Sequence, residues 1–424
     1  MRVLLITRHM PARSIVPVDR GGGGNTFIEA LLELPLLSDD LDIDVVALHP
    51  EGEPIDPPPR VTITYVRSER LHRWLWDHRE AKNPFAAVFV LVWTAYMLIG
   101  AALRRSRERR YDLIYAVGGP IAGAAGIVVK HLRRLPLAMH FQYTYNFRRA
   151  SLPIRLGGRA FYGQTDALIG NCAMLGEDAV AIGVPAERCH WVFNWIDQDA
   201  FRPLEPRERY RAEHRVEPSQ TAFYFGGRFD YTKHVDRLID ALRDLDEPRA
   251  VFFFAGDGVL APELRALAAA NPNVRVLGTV PRADLPALHA AADLQFWNSV
   301  DIDYPGLVAI EAMSSGLPLY TSNQTMNPLY PGARVEPSFL GVPRLAKLFD
   351  PTRDGIRQAI REAIERRDEL VALRPEVAAF ARAHFGPANA LELIAILRSC
   401  AFATAAAARD ASGQSARRDG RISS

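Results

Sequence analysis

Two cations, Arg228 and Lys233, follow an apolar run and a glycine pair in FYFGGRFDYTKH (Phe223 to His234). Further on, DYPGLVAIEAMSSGLP (Asp303 to Pro318) places a carboxylate, Glu311, shortly after Gly306, where a helix is expected to start. Phosphate oxygens want Arg, Lys and free backbone N–H groups, and a ribose diol wants a carboxylate acceptor. The two segments therefore carry what a nucleoside diphosphate needs at its two ends. Gly226 and Gly227 let the backbone approach such a ligand, and one loop could clamp both phosphates. The competing reading of Arg228 and Lys233 is a solvated loop paired with Asp230 or Asp236.

These residues need elements to hold them, and the sequence supplies alternating strands and helices, as a parallel sheet requires. RVLLIT opens the chain, and a helix is expected over Thr26 to Leu37. DVVALHP, VTITYV, a long apolar helix, DLIYAV, a helix over Ile121 to Leu132, LPLAMHFQY and ALIGN follow. The strands are short continuous apolar runs, the mark of sheets covered on both faces. A second such unit runs from about Ser219 to Phe380 through AFYFGG, VFFFAGDG and VRVLGTV. The expected division is 1–200 and 201–385, with a helix over 386–408 that crosses back to the first domain and a disordered tail over 409–424.

In order and spacing, these pieces resemble the donor half of retaining, family-4-like glycosyltransferases with the GT-B fold (glycosyl transferases group 1), over roughly residues 1–385. The resemblance implies an α/β protein of two Rossmann-like domains whose parallel sheets face across a cleft. It also implies a metal-independent, hexosyltransferase-type enzyme with no cofactor beyond its co-substrate. That enzyme would move a sugar from a nucleoside-diphosphate sugar to a glycan or lipid-linked acceptor in surface polysaccharide or glycoconjugate assembly, with retention. In this reading Arg228 and Lys233 hold the leaving diphosphate and stabilise its developing charge. Glu311 accepts the ribose hydroxyls, and Gly227, Gly306, Leu307 and Val308 bring backbone to the phosphates. Gly256 and Asp257 lie by the donor, and the strand end around Leu277 reads the base edge through its backbone. Asp303 contacts the donor sugar, His140 lies near it, and Gly22, Gly23 and Gly24 form a loop on the acceptor side before a helix beginning near Asn25.

Several features depart from the family pattern. Asp303-Tyr304-Pro305-Gly306 stands where Glu-Gly-Phe-Gly is usual, and Pro305 stiffens the loop. Asn194-Trp195-Ile196-Asp197 replaces Asn-Gly-Val-Asp, and TSNQTMNPLYPGARVEPSF lacks the second glycine pair and the Asn-Gly turn. Asp301-Ile302-Asp303 spells the D-x-D of a different, metal-dependent fold, but Asp40-Leu41-Asp42 and Asp42-Ile43-Asp44 spell it too, so no metal site is expected. Two alternatives stay open: another GT-B enzyme (a sugar-nucleotide epimerase or an inverting transferase), and a non-catalytic GT-B partner subunit.

The bulk properties agree with a two-domain globular protein, since 424 residues exceed one ordinary core. A net charge of +2 gives no footprint for nucleic acid. Three cysteines without metal-like spacing suggest reduced thiols in a cytosolic protein. Met1 leads straight into a strand, so no signal peptide is expected. Pro84 to Leu103 is uncharged and followed by RRSRERR. A buried or amphipathic helix is the favoured reading, with peripheral contact to the inner face of a membrane through 84–110 as the alternative.

Overall fold

The computed structural model describes residues 1–8, 10, 22–49, 53–66, 84–141, 147, 150–171, 173–297, 306–322 and 345–402. Expectations that fall on Asp301, Asp303, Pro305, most of 321–339 and the tail 409–424 lie outside them. The chain separates into two compact units: Met1–Arg13 with Ile28–Val192 and Ala390–Ser424, and Ser14–Phe27 with Phe193–Asn389.

The first unit is built on β1 (Arg2–Thr7), β2 (Asp42–Leu48), β3 (Val61–Val66), β4 (Leu113–Val117), β5 (Leu137–Phe141), β6 (Ala167–Gly170) and β7 (Cys189–Trp191). Every described pairing is parallel, in the order β3-β2-β1-β4-β5-β6-β7. β1 and β4 are buried along nearly their whole length, which explains their unbroken apolar sequences.

Helices α1 (Gly22–Leu32), α2 (Pro84–Glu108), α3 (Pro120–Arg133), α4 (Leu152–Tyr162) and α5 (Ala173–Ala181) connect these strands. α1 starts at Gly22, so the glycines expected in a preceding loop form its first turn instead. The expected helix over Thr26 to Leu37 breaks at Leu32 into a separate 3-10 turn, Leu34–Leu36, where Pro35 cannot continue the α-helical ladder.

α2 turns Leu98 and Ala102 into the core, and its C-terminal end is tied to Asp44. Arg105 and Arg109 approach that carboxylate at 3.6 and 3.4 Å, and the Tyr111 hydroxyl donates to it at 2.6 Å. Two cations of the basic run are thus ion-paired at the helix end. No described helix is long and apolar enough to cross a membrane.

The second unit contains α6 (Arg207–Glu213), β8 (Thr221–Gly226), α7 (Val235–Leu242), β9 (Ala250–Ala255), α8 (Ala261–Ala270), β10 (Val274–Gly278), α9 (Leu285–Ala291) and β11 (Leu294–Trp297). It continues with α10 (Leu307–Ser314), β12 (Leu319–Ser322), β13 (Ala346–Phe349), α11 (Arg353–Glu365) and α12 (Arg367–His384). Its described strands are also parallel, ordered β10-β9-β8-β11-β12-β13. Stacked phenylalanines, Phe223 on Phe252 and Phe296 on Phe349, fill one face of this sheet. The last helix, α13, is described over 387–402. From Ala390 on it groups with the first unit, where Arg398 donates to Ser38 and pairs with Asp40.

At the base of the second sheet lies a charge cluster that no short motif announces. Asp293 is fully buried and accepts from Arg207 at 2.8 Å, Arg211 at 2.9 Å and the Ala222 amide at 2.8 Å. Burial pushes its pKa up, but the charges of Arg211 and Arg207 prevail and hold the carboxyl below its ordinary range. Arg207, Arg211 and Arg374 also cap carbonyls of Ala290, Ala291 and Ala292 at the C-terminal end of α9, while Arg211 Nη2 donates to the Glu217 and Gln220 carbonyls.

Candidate functional site

In a parallel sheet, ligands collect at the C-terminal edge where the strand order reverses. In the second unit that point lies between β8 and β11. The loop after β8 carries Arg228 and Lys233, and the helix after β11 carries Glu311, so the topology brings the two expected segments to one edge. The contact is direct: a Cβ on Gly226 would come within 2.8 Å of Val308 in the first turn of α10.

The loop after β8 is laced to its neighbours by backbone. The Gly227 amide donates to the Ala255 carbonyl at 2.9 Å and the Phe229 amide to the Asp257 carbonyl at 2.8 Å. The Gly256 amide donates to the Gly278 carbonyl at 2.7 Å. This lacing requires glycine at 256, whose φ is +150° and whose added Cβ would lie 1.8 Å from the Gly227 carbonyl oxygen. Arg228 is therefore held between two anchored residues. Gly227 has φ +135°, and an added Cβ would meet nothing within 4 Å.

Arg228 Nε lies 3.4 Å from Asp230 Oδ2, and the side chain is 42% exposed. Asp230 also caps the 3-10 turn Tyr231–Lys233, accepting from the Lys233 amide at 3.0 Å. One carboxylate thus orients Arg228 and fixes the turn that presents Lys233. The pairing with Asp230 weighed in the sequence does form, and it leaves Arg228 open to solvent. Asp257 accepts from the Gly258 amide at 2.9 Å and faces Arg265 at 3.5 Å, so it stabilises its own turn. Leu277 is exposed on β10, at the outer edge of the sheet.

Gly306 is the N-cap of α10, with Leu307 and Val308 in the first turn, whose amides lack intrahelical acceptors. Glu311 is 4% exposed and accepts from Arg282 Nε at 2.9 Å. The Arg282 guanidinium in turn lies 5.0 Å from the centre of the Phe201 ring. Sequence reasoning missed Arg282; the available signal was that a buried glutamate needs a cationic partner. Behind Glu311, the Ser315 hydroxyl donates to its carbonyl and lies 3.0 Å from Nδ1 of buried His289.

In the first unit the strand order reverses between β1 and β4. The described residues there include Arg8, exposed just after β1, and Gly118 and Gly119 after β4, with φ of +92° and +109°; Gly22 to Gly24, in the first turn of α1, group with the second unit. His140 lies on the neighbouring β5, buried, with Nδ1 2.6 Å from the Tyr115 hydroxyl. Burial lowers its pKa to about 3, so the ring is neutral at ordinary pH and serves as a hydrogen-bonding group rather than a cation. Sequence reasoning missed Tyr115 and the Gly118-Gly119 turn. Trp195, which replaces the usual glycine, is buried edge-on against Phe27 with ring centres 6.0 Å apart.

Two parallel Rossmann-like sheets, each with a loop cluster at its reversal point, define a double-Rossmann α/β protein. A family profile described as "Glycosyl transferase 4-like domain" matches residues 22–195, and one described as "Glycosyl transferases group 1" matches residues 206–334. Together they cover well over half of the chain, which belongs to the group 1 glycosyltransferases with the GT-B fold.

The chain is 26% identical over 217 residues to the sulfoquinovosyl transferase SQD2 of Arabidopsis thaliana, a match spanning 49% of this chain and 42% of that protein. The matched stretches are less than half the length of the curated relatives. Among solved structures, the sucrose-phosphate synthase of Thermosynechococcus elongatus superposes with a TM-score of 0.69 at 19% identity, covering 94% of this chain and 98% of that one. Anabaena Alr3699/HepE, solved in complex with UDP and glucose, gives a TM-score of 0.64 at 18% identity, covering 94% and 99%.

Proposed function

We propose that the chain is a retaining, metal-independent transferase that moves a sugar from a nucleoside-diphosphate sugar to a glycan or lipid-linked acceptor. One observation carries the donor part: Arg228 and Glu311 come from separate segments yet flank the same reversal point, with Gly226 against Val308. In this reading Arg228 and Lys233 take the diphosphate. The N-terminal amides of α10 add neutral donors for its oxygens, and Glu311, held by Arg282, accepts from the ribose.

As the glycosidic bond breaks, negative charge grows on the diphosphate. Cations fixed beforehand stabilise that charge without reorganising. His140, kept neutral by burial, has hydrogen bonds to offer the donor sugar rather than acid–base work. Asp303 is assigned to the same sugar by resemblance. The acceptor class and a place in surface polysaccharide assembly rest on family habit and the 84–110 segment, and membrane contact rests on that segment's uncharged run and the basic residues after it.

The test is turnover against a panel of sugar nucleotides, with the product anomer read by NMR and the reaction repeated in EDTA. Release of nucleoside diphosphate with a product of unchanged configuration, insensitive to EDTA, is the expected result. An inverted product or loss of activity in EDTA would overturn the retaining or the metal-free part respectively. A variant Lys233→Ala that turns over within about threefold of the wild type would remove the charge-stabilising role.

A further inference from the structure

A ribose hydroxyl is a donor and an acceptor at once. A carboxylate satisfies only its donor half, so a site that reads a hydroxyl fully needs an N–H beside the carboxylate. The second unit places one there.

Arg282 opens the 3-10 turn Arg282–Asp284 between β10 and α9. The Asp284 amide donates to the Pro281 carbonyl at 2.9 Å, which closes that turn. At the end of β10 the Gly278 carbonyl accepts from the Gly256 amide, and the Asp257 carbonyl accepts from Phe229. Backbone bonds therefore join the segment bearing Arg282 to the loop bearing Arg228 and Lys233. On the helix side, α9 and α10 contribute to one core cluster on the same face of the sheet. His289 and Ser315 tie them together inside, and Arg282 and Glu311 tie them at the edge.

The Arg282 side chain is fixed on two sides. Nε donates to Glu311 at 2.9 Å, and the guanidinium lies 5.0 Å from the centre of the buried Phe201 ring. Phe201 is itself braced against His289, with ring centres 6.1 Å apart. A bidentate fork would use up the donors that face the carboxylate; the single contact through Nε does not. Among the described residues no other hydrogen bond engages the guanidinium, and the side chain is 42% exposed. Both terminal nitrogens thus keep open N–H groups beside a buried carboxylate.

We propose that Arg282 and Glu311 together read one ribose hydroxyl of the donor nucleotide. Glu311 accepts from its O–H, and an Arg282 Nη donates to its oxygen. Arg282 is then a specificity-determining residue that selects ribose over deoxyribose, a role that rests on the donor reading above. Deleting the hydroxyl leaves polar groups on both side chains unpaired, which is how a site built around a hydroxyl rejects analogues that lack it. The support from Phe201 and the 3-10 turn holds the guanidinium in place before the ligand arrives, which lowers the ordering cost of binding.

The test is calorimetric binding of UDP, GDP and ADP, and of their 2′-deoxy and 3′-deoxy analogues, to the full chain. The wild type is expected to bind one ribonucleotide roughly 100-fold more tightly than one of its deoxy analogues. Arg282→Ala should lower that ratio by about tenfold, the worth of one charge-assisted hydrogen bond. Arg282→Lys keeps a cation on Glu311, but a compact ammonium lacks the fork that reaches Glu311 and the hydroxyl together, so an intermediate ratio is expected. A purely structural role for Arg282 would weaken ribo- and deoxyribonucleotides alike and leave the ratio unchanged. A wild-type ratio in Arg282→Ala, or in Arg282→Lys should the alanine variant fail to fold, would overturn the proposal and leave the donor reading standing. So would a wild type that binds ribo- and deoxyribonucleotides equally. Binding of no nucleotide by the wild type would overturn both.

Discussion

At the reversal point of the second sheet stand Arg228, Lys233 and Glu311, each placed by backbone or carboxylate contacts. At the reversal point of the first stand Arg8, exposed just after β1, and the glycine pair Gly118-Gly119 after β4, with His140 close by and neutral in the core. The same topology thus presents two cations and a carboxylate in one unit, and a single arginine beside a glycine turn in the other. Each unit also hides an acidic hub. Asp293 is fully enclosed among arginines, whereas Asp44 meets Arg109, which is half-exposed. The second unit is built around fixed charge, from its base to its β8–β11 edge.

Removing the hubs should break that comparison most visibly. Asp293→Ala leaves buried guanidiniums unpaired and should cost about 3–5 kcal/mol in denaturant unfolding. Asp44→Ala exposes partners that water can reach and should cost about 1–3 kcal/mol. Equal losses would show that the enclosure of Asp293 adds nothing.

At the edge itself, Lys233→Ala or Arg228→Ala should reduce turnover by about 10²-fold, or roughly 2.7 kcal/mol of transition-state stabilisation. His140→Asn should cost less, because it removes no charge. A larger loss at His140 than at Lys233 would move the chemistry into the first unit.

The glycines sharpen the contrast further. Gly256→Ala drives a Cβ into the Gly227 carbonyl and should cost roughly 2–3 kcal/mol. Gly119→Ala also has a positive φ but open space around it, so about 1 kcal/mol is expected. Thermal melts of the two variants rank them directly.

The two units share one behaviour, a pH dependence that is nil at neutral pH and grows below pH 6.5. Burial lowers the pKa of His140 and His289 to about 3, against an ordinary value of 6.5. Below pH 6.5 the unfolded chain takes up protons that the folded chain refuses. Their contribution is therefore complete above pH 6.5 and is lost as pH falls towards 3. The initial loss approaches about 1.4 kcal/mol per pH unit for each ring. His289→Asn should flatten the acid limb of a melting-temperature profile, and an unchanged limb would contradict its neutral burial.

Much of the fold was legible because buried parallel strands leave unbroken apolar runs such as VFFFA and RVLLIT, and the turn glycines stand after them. The start of α1 was misplaced because glycine, a poor helix former, is tolerated in a first turn where amides lack partners anyway. Arg228 and Glu311 were visible through local spacing. Arg282 was not, since the glutamate it holds lies 29 residues away in sequence. Nor was the Asp293 hub, whose Arg207 partner is 86 residues away.

The central claim is that the β8–β11 edge binds a nucleoside diphosphate sugar, and thermal stabilisation by UDP-, GDP- and ADP-sugars tests it directly. The account predicts a shift with one nucleotide series that disappears in both Arg228→Ala and Glu311→Ala. No shift with any series, or a shift that survives in both variants, would contradict it.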